Sequence, residues 1–210
     1  MQEEILYNPE LAYEHLDENY KKAKFANLNE FKIYAINNSK RYVTAKVTKY
    51  QKTEKNGYIQ YACTDTEGRV YIFNETAVKK YTLILDTYTL EIPEFTAKYN
   101  TSNPKEKVIL NLDKFMQSIN DKDYKYAYSL LAESFKNLNF KTQAEFENYM
   151  KTNFFEKNKF EYEKFGDEAN TYYTYKIKIT DKTGIDEREI TKTFIILLEE
   201  GTKFKLSFDK

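Results

Sequence analysis

The chain has 210 residues, 33 basic against 33 acidic, 41% hydrophobic residues, 5 glycines and 3 prolines. This is the composition of an ordered globular protein, and the charge balance argues against nucleic acid, whose binders usually carry a basic excess. The lone cysteine, Cys63, excludes an intrachain disulfide and the usual thiolate zinc site, and the sequence holds no apolar run of the roughly 18 residues that mark a membrane span.

The first residues are acidic: Glu3, Glu4, Glu10, Glu14, Asp17 and Glu18 precede any lysine, and no signal-peptide pattern is present. Asn8-Pro9 places an N-cap before proline at the first helical position, predicting a helix that buries Ala12, Tyr13, Leu16 and Tyr20. Asn27-x-x-Glu30 opens a second, short helix carrying Phe31 and Tyr34. The basic stretch 40–55, with Lys40, Arg41, Lys46, Lys49, Lys52 and Lys55, reads as solvated faces. Strands are expected over 42–50, 58–64, 69–73 and 78–90, with a turn at Asp65-Thr-Glu-Gly68 and Cys63 as a small buried hydrophobe.

Pro93, Pro104 and Asn100-Thr-Ser-Asn103 give residues 93–104 the composition of a linker between domains at 1–92 and 105–210. Beyond it, Ile109, Leu112, Phe115, Met116 and Ile119 predict a helix, and Asp123 caps another that buries Ala127, Leu130, Leu131 and Phe135. Thr142-x-x-Glu145 is a capping box ahead of Phe146, Tyr149 and Met150. Strands follow at 160–165, 171–180, 187–198 and 203–208, the second alternating Tyr173, Tyr175, Ile177 and Ile179 with polar residues.

These two descriptions are one pattern written twice. At an offset of 115, positions 8–38 match Ala12/Ala127, Tyr13/Tyr128, Leu16/Leu131, Glu18/Glu133, Lys21/Lys136, Phe25/Phe140, Glu30/Glu145, Phe31/Phe146, Tyr34/Tyr149 and Asn38/Asn153. The turns Asp65-Thr-Glu-Gly68 and Asp181-Lys-Thr-Gly184 continue the repeat, so the chain reads as a duplicated helices-then-strands unit. The helix at 107–119 has its first-copy counterpart largely before Met1, which leads to the expectation that the natural protein extends upstream, through a membrane anchor.

Ala-Tyr near the start of the main helix, in segments such as Ala127-Tyr-Ser-Leu-Leu131 with Phe135, Phe146 and Tyr149, resembles the nuclear-transport-factor-2-like (cystatin-like cone) superfamily. In particular the chain is similar to tandem cone domains of low-GC Gram-positive envelope proteins, and the A/T-rich codon usage implied by abundant Lys, Asn, Ile, Phe and Tyr agrees. The resemblance implies an α+β fold of two tandem cone-shaped domains, each with N-terminal helices packed on a bent four-stranded antiparallel sheet.

No catalytic, cofactor or metal motif is found. His15, the only histidine, aligns with Leu130 and reads as a packing or boundary site. Asp186, Glu187, Glu189, Glu199 and Glu200 read as hairpin surface. The residues that would line the cones are Tyr13, His15, Tyr34, Tyr128, Tyr149, Tyr173 and Tyr175, with the aromatics weighing toward core. The expected function is a non-enzymatic interaction or scaffold module of the bacterial cell envelope, exposed outside the membrane and binding a protein partner, with no cofactor. The alternatives are a small-molecule or isomerase/dehydratase-like pocket in one cone, and cell-wall glycan binding.

Overall fold

A computed structural model describes residues 2–55, 57–90, 93–168 and 171–210. The protein is α+β, and the chain divides into two compact units, 1–90 and 91–210. Each unit holds its own hydrophobic core and its own four-stranded antiparallel sheet in simple meander order.

Unit 1 begins with five short helices: α1 (Gln2–Tyr7), α2 (Pro9–Glu14), α3 (Glu18–Lys24), α4 (Leu28–Asn37) and α5 (Ser39–Thr44). The single helix expected from Asn8 is broken at His15–Asp17, for a specific reason. Residues 15–17 leave the helix to pair with the last strand: Leu83 N–H donates to the His15 carbonyl at 2.8 Å, and Asp17 N–H donates to the Leu83 carbonyl at 2.9 Å. Asp17 then restarts the helix, its carboxylate accepting from the Asn19 and Tyr20 backbone N–H groups. The sheet comprises β1 (Val47–Lys55), β2 (Tyr58–Asp65), β3 (Val70–Ala77) and β4 (Lys80–Ile84), followed by a 3-10 turn at Thr87–Thr89.

Two strand expectations are corrected here. Residues 42–44 belong to α5, which buries Arg41 and Tyr42, so the first strand starts only at Val47. The expected strand over 78–90 is instead a turn at Val78–Lys79, β4 and the 3-10 turn; Lys79 takes φ 60 without the Gly or Asn that normally marks such a position.

Unit 2 opens with α6 (Pro93–Thr101) where a linker was expected; residues 91–92 lie outside the described set. Proline at its first position suits a helix start, and Tyr99 anchors it, 2% exposed and accepting from Asn111 Nδ2 at 3.1 Å. The predicted helix is α7 (Pro104–Asn120), entered through a reciprocal Asn103–Glu106 capping box and burying Val108, Leu112, Phe115, Met116 and Ile119. Next come α8 (Tyr124–Ser129), α9 (Glu133–Asn139) and α10 (Gln143–Asn153), then β5 (Asn158–Glu168), β6 (Tyr172–Asp181), β7 (Glu189–Leu198) and β8 (Phe204–Phe208).

The duplication is visible in geometry. Unit 2 repeats the helix break: Leu206 N–H donates to the Leu130 carbonyl at 3.0 Å, and Ala132 N–H donates to the Leu206 carbonyl at 2.8 Å. Both β-turns close through a glycine in the left-handed region, Gly68 at φ 83 and Gly184 at φ 71, with Asp65 and Asp181 accepting from the N–H two residues on. The Tyr13 and Tyr128 rings lie 5.5 and 5.7 Å from Phe31 and Phe146 and are covered by Lys21 and Lys136, each of which is paired to the glutamate three residues earlier.

Candidate functional site

The cone-lining candidates do not form one site. Tyr13 and Tyr128 are the half-buried braces just described, Tyr128 also donating its hydroxyl to the Phe140 carbonyl at 2.9 Å. His15 is half-buried at the end of α2, and its backbone carbonyl makes the strand contact that Leu130 makes in unit 2. Tyr173 and Tyr175 are buried in β6 against Phe165 and Tyr162. Tyr149 packs on Phe140 and Phe208. Tyr34 alone of these belongs to a polar assembly; of its other members the sequence suggests Tyr20 as helix core and Arg41 as a solvated cation, and Lys24, Tyr71 and Asp86 carry no signal there.

That assembly is centred on Asp86, just after β4. Its side chain has no solvent exposure, and four groups converge on it. Oδ1 accepts from Arg41 Nη1 at 2.7 Å and from the Tyr34 hydroxyl at 3.2 Å; Oδ2 accepts from the Tyr20 hydroxyl at 2.9 Å and lies 3.0 Å from Lys24 Nζ. Arg41 goes on to the Leu85 carbonyl at 3.0 Å and the Tyr71 hydroxyl at 3.2 Å, and Tyr71 donates to Asp65 at 3.0 Å. The Tyr34 and Tyr42 hydroxyls are 2.6 Å apart. Arg41 is thus buried, which corrects its reading as part of a solvated basic stretch.

Electrostatics follow from this packing. Burial, the largest influence, pushes the Asp86 carboxyl upward, but Lys24 and Arg41 together more than reverse it and hold the group well below the usual carboxylate range. Burial and the Asp86 charge push Tyr20 and Tyr34 well above the usual phenol range, so both stay protonated donors. An ionised acid ringed by donors that keep their protons is neither a general base nor a general acid at neutral pH.

Unit 2 does not repeat these polar partners. Tyr20 is replaced by Phe135 and Lys24 by Asn139, while Phe208 lies 5.0 Å from Phe135, 6.0 Å from Tyr149 and 5.5 Å from Phe194. The acid after the last strand, Asp209, accepts instead from the Thr193 N–H at 2.8 Å at the surface. Cys63 is half-buried in β2 opposite Tyr50 and Tyr71, with its thiol pushed up by burial, a poor setting for a nucleophile.

A second feature lies on the helical side of unit 1. A groove of about 330 Å³ runs between α1, α2, α4 and the start of α5, lined by Ile5, Leu6, Pro9, Ala35, Ile36 and Ser39 and flanked by Glu10 and Lys32. Lys32 Nζ meets Glu10 at 2.6 Å, and Ile36 at its edge is 71% exposed. Among the described residues no group of three His, Cys, Asp or Glu side chains is placed to hold a metal, and no helix is long and apolar enough to cross a membrane. Comparison with protein-family models, curated proteins and solved structures returns no match for this chain.

Proposed function

We propose that this chain is a non-enzymatic interaction module, two tandem units of the nuclear-transport-factor-2-like type, acting at the outer face of a bacterial cell membrane by binding a protein partner. The observation that carries the reading is the saturation of Asp86. The interior polar cluster, the obvious place for chemistry, spends both carboxylate oxygens on four internal donors, and the second copy does not repeat it: Phe135 and Asn139 stand for Tyr20 and Lys24, and Asp209 accepts from the Thr193 N–H at the surface. Interiors built this way hold shape and leave recognition to the surface. The envelope location rests on the superfamily resemblance of the repeated Ala-Tyr helices.

The test is photo-crosslinking in intact cells from surface positions on both units, combined with cell fractionation. Recovery of a discrete envelope protein supports the proposal. Fractionation of the full-length protein to the cytosol, together with no crosslinked partner, overturns it.

A further inference from the structure

The two copies of the repeat differ sharply at the unit 1 groove, and the difference shows what chemistry fits there. Counting by the 115-residue offset, Pro9, Ala35 and Ser39 stand where unit 2 has Tyr124, Met150 and Phe154. In unit 2 those three side chains are 5%, 1% and 5% exposed and belong to the core, and Lys151 lies over the Tyr124 ring at 5.9 Å. Unit 1 has removed the bulk and left the space open.

The lining has changed in the opposite sense. Ile5 and Leu6 replace Asn120 and Asp121, and exposed Ile36 replaces Lys151. Asn120 in unit 2 clips α7 to β5 through its bonds with Asn158; Ile5 makes the same position apolar. Exposed large hydrophobics are also more frequent on the helices of unit 1, with Tyr7, Leu11, Ile33, Ile36 and Val43, against Leu138 alone on the helices of unit 2 among the described residues, and Ile36 is the one that lines the groove. A groove emptied of its own bulky side chains, relined with hydrocarbon and edged by the exposed Ile36 is the pattern of a binding surface.

Charge selects the occupant. α1 and α2 have the sequences QEEILY and PELAYE, with no basic residue, and Glu3, Glu10 and Glu14 are exposed along them. Glu10 lines the groove, where Lys32 engages it, and Glu3 and Glu14 stand one helical turn from the lining residues Leu6 and Glu10, which makes the α1–α2 wall acidic by spacing.

We infer that this groove binds a basic amphipathic helix of a protein partner, whose bulky Phe, Met or Leu side chains fill the space vacated by Tyr124, Met150 and Phe154 equivalents while its lysines or arginines meet the acidic wall. The inference deepens the interaction reading above and rests on it.

The probe is a synthetic, fluorescein-labelled helical peptide of about 14 residues, four turns long, with Phe, Met and Leu at i, i+3 and i+7 and lysines flanking them. A matched peptide carries glutamates in place of the lysines. The full chain should bind the lysine peptide at least about tenfold tighter than the glutamate peptide. Two variants close the site: the graft Pro9→Tyr/Ala35→Met/Ser39→Phe, and Ile36→Lys at an exposed position that leaves folding intact. Each should weaken the lysine peptide by about tenfold or more with circular dichroism unchanged.

Equal binding by wild type and Ile36→Lys, no binding by wild type, or no preference between the peptides overturns the inference. So does light scattering that shows a wild-type dimer broken by Ile36→Lys, which would give the groove to a second copy. If Ile36→Lys still captures the envelope partner in cells, the groove is wrong and the interaction reading stands; if wild type captures none, the interaction reading itself fails.

Discussion

Replacing Asp86 by asparagine keeps the shape of the side chain and removes its charge. The structure sets the consequence: Arg41 and Lys24, with side chains 6% and 10% exposed, would then converge on a neutral amide. Removing one member of a buried ion pair costs about 3–5 kcal/mol, and here two cations lose the same acid, so the upper half of that range applies. A domain of this size has a total stability of roughly 5–13 kcal/mol, so Asp86→Asn should take away a third or more and lower the unfolding midpoint by well over about 10 °C. Because Cys63 is the sole cysteine and lies in unit 1, its labelling by a maleimide across a urea gradient reports that unit alone. A companion variant that removes the charges together, Tyr20→Phe/Lys24→Met/Arg41→Met/Asp86→Leu, should recover most of the loss, since a well-packed apolar replacement of a buried ionic group is often neutral or better. A Cys63 midpoint in Asp86→Asn within about 0.5 kcal/mol of wild type would refute the account of the cluster as an interdependent lock.

Three further outcomes are expected. Because the folded Asp86 carboxyl sits below its unfolded value, its contribution is present above the ordinary carboxylate range and is lost as pH falls from about 5 toward 2; the urea midpoint read at Cys63 with a pyridyl disulfide, which reacts with thiols in acid where maleimide does not, should drop over that window more steeply in wild type than in Asp86→Asn. Tyr20, Tyr34 and Tyr42 are raised, so their stabilising effect is present below pH 10 and declines above it as the unfolded chain ionises; tyrosinate absorbance should show these rings silent until the unit unfolds. In β5, a Cβ on Gly166 would come within 2.3 Å of Thr174 Oγ1, so Gly166→Ala should cost about 1–3 kcal/mol, with the loss relieved by Thr174→Ala in thermal unfolding.

Sequence legibility tracked how local each cause is. The body of α7 is legible in the spacing of Ile109, Leu112, Phe115, Met116 and Ile119, but its capping box at Asn103–Glu106 falls where Pro93, Pro104 and Asn100-Thr-Ser-Asn103 read as linker; the paired Asp–Gly turns announce equivalent hairpins. The break at His15–Asp17 was not readable, because its cause is a strand residue far downstream, Leu83, and the local apolar spacing fits an unbroken helix. Arg41 looked like a surface cation among lysines, since nothing in 40–55 reveals that Asp86 and Tyr71 will surround it. The Asp86 cluster escaped for the same reason, with members drawn from α3, α4, α5, β3 and the end of β4. The groove left a usable trace: setting the copies side by side exposes Pro9 against Tyr124 and Ala35 against Met150, small for large at positions that should pack alike.

The paired bridges Leu16–Leu83 and Leu131–Leu206 bear on how the protein is made. In each unit the earliest helices are held by hydrogen bonds to the final strand. On the ribosome, which adds roughly 5–20 residues per second, helices α2 and α3 emerge seconds before the strand that closes them, with Leu16 and Tyr20 uncovered in the interval. Unit 1 cannot close until β4 has been made, and unit 2 cannot close until β8 has been made. A nascent chain of this architecture therefore depends on holding the apolar helices of each unit apart until translation delivers that unit's last strand, and a break in the chain ahead of β8 would leave the second unit open.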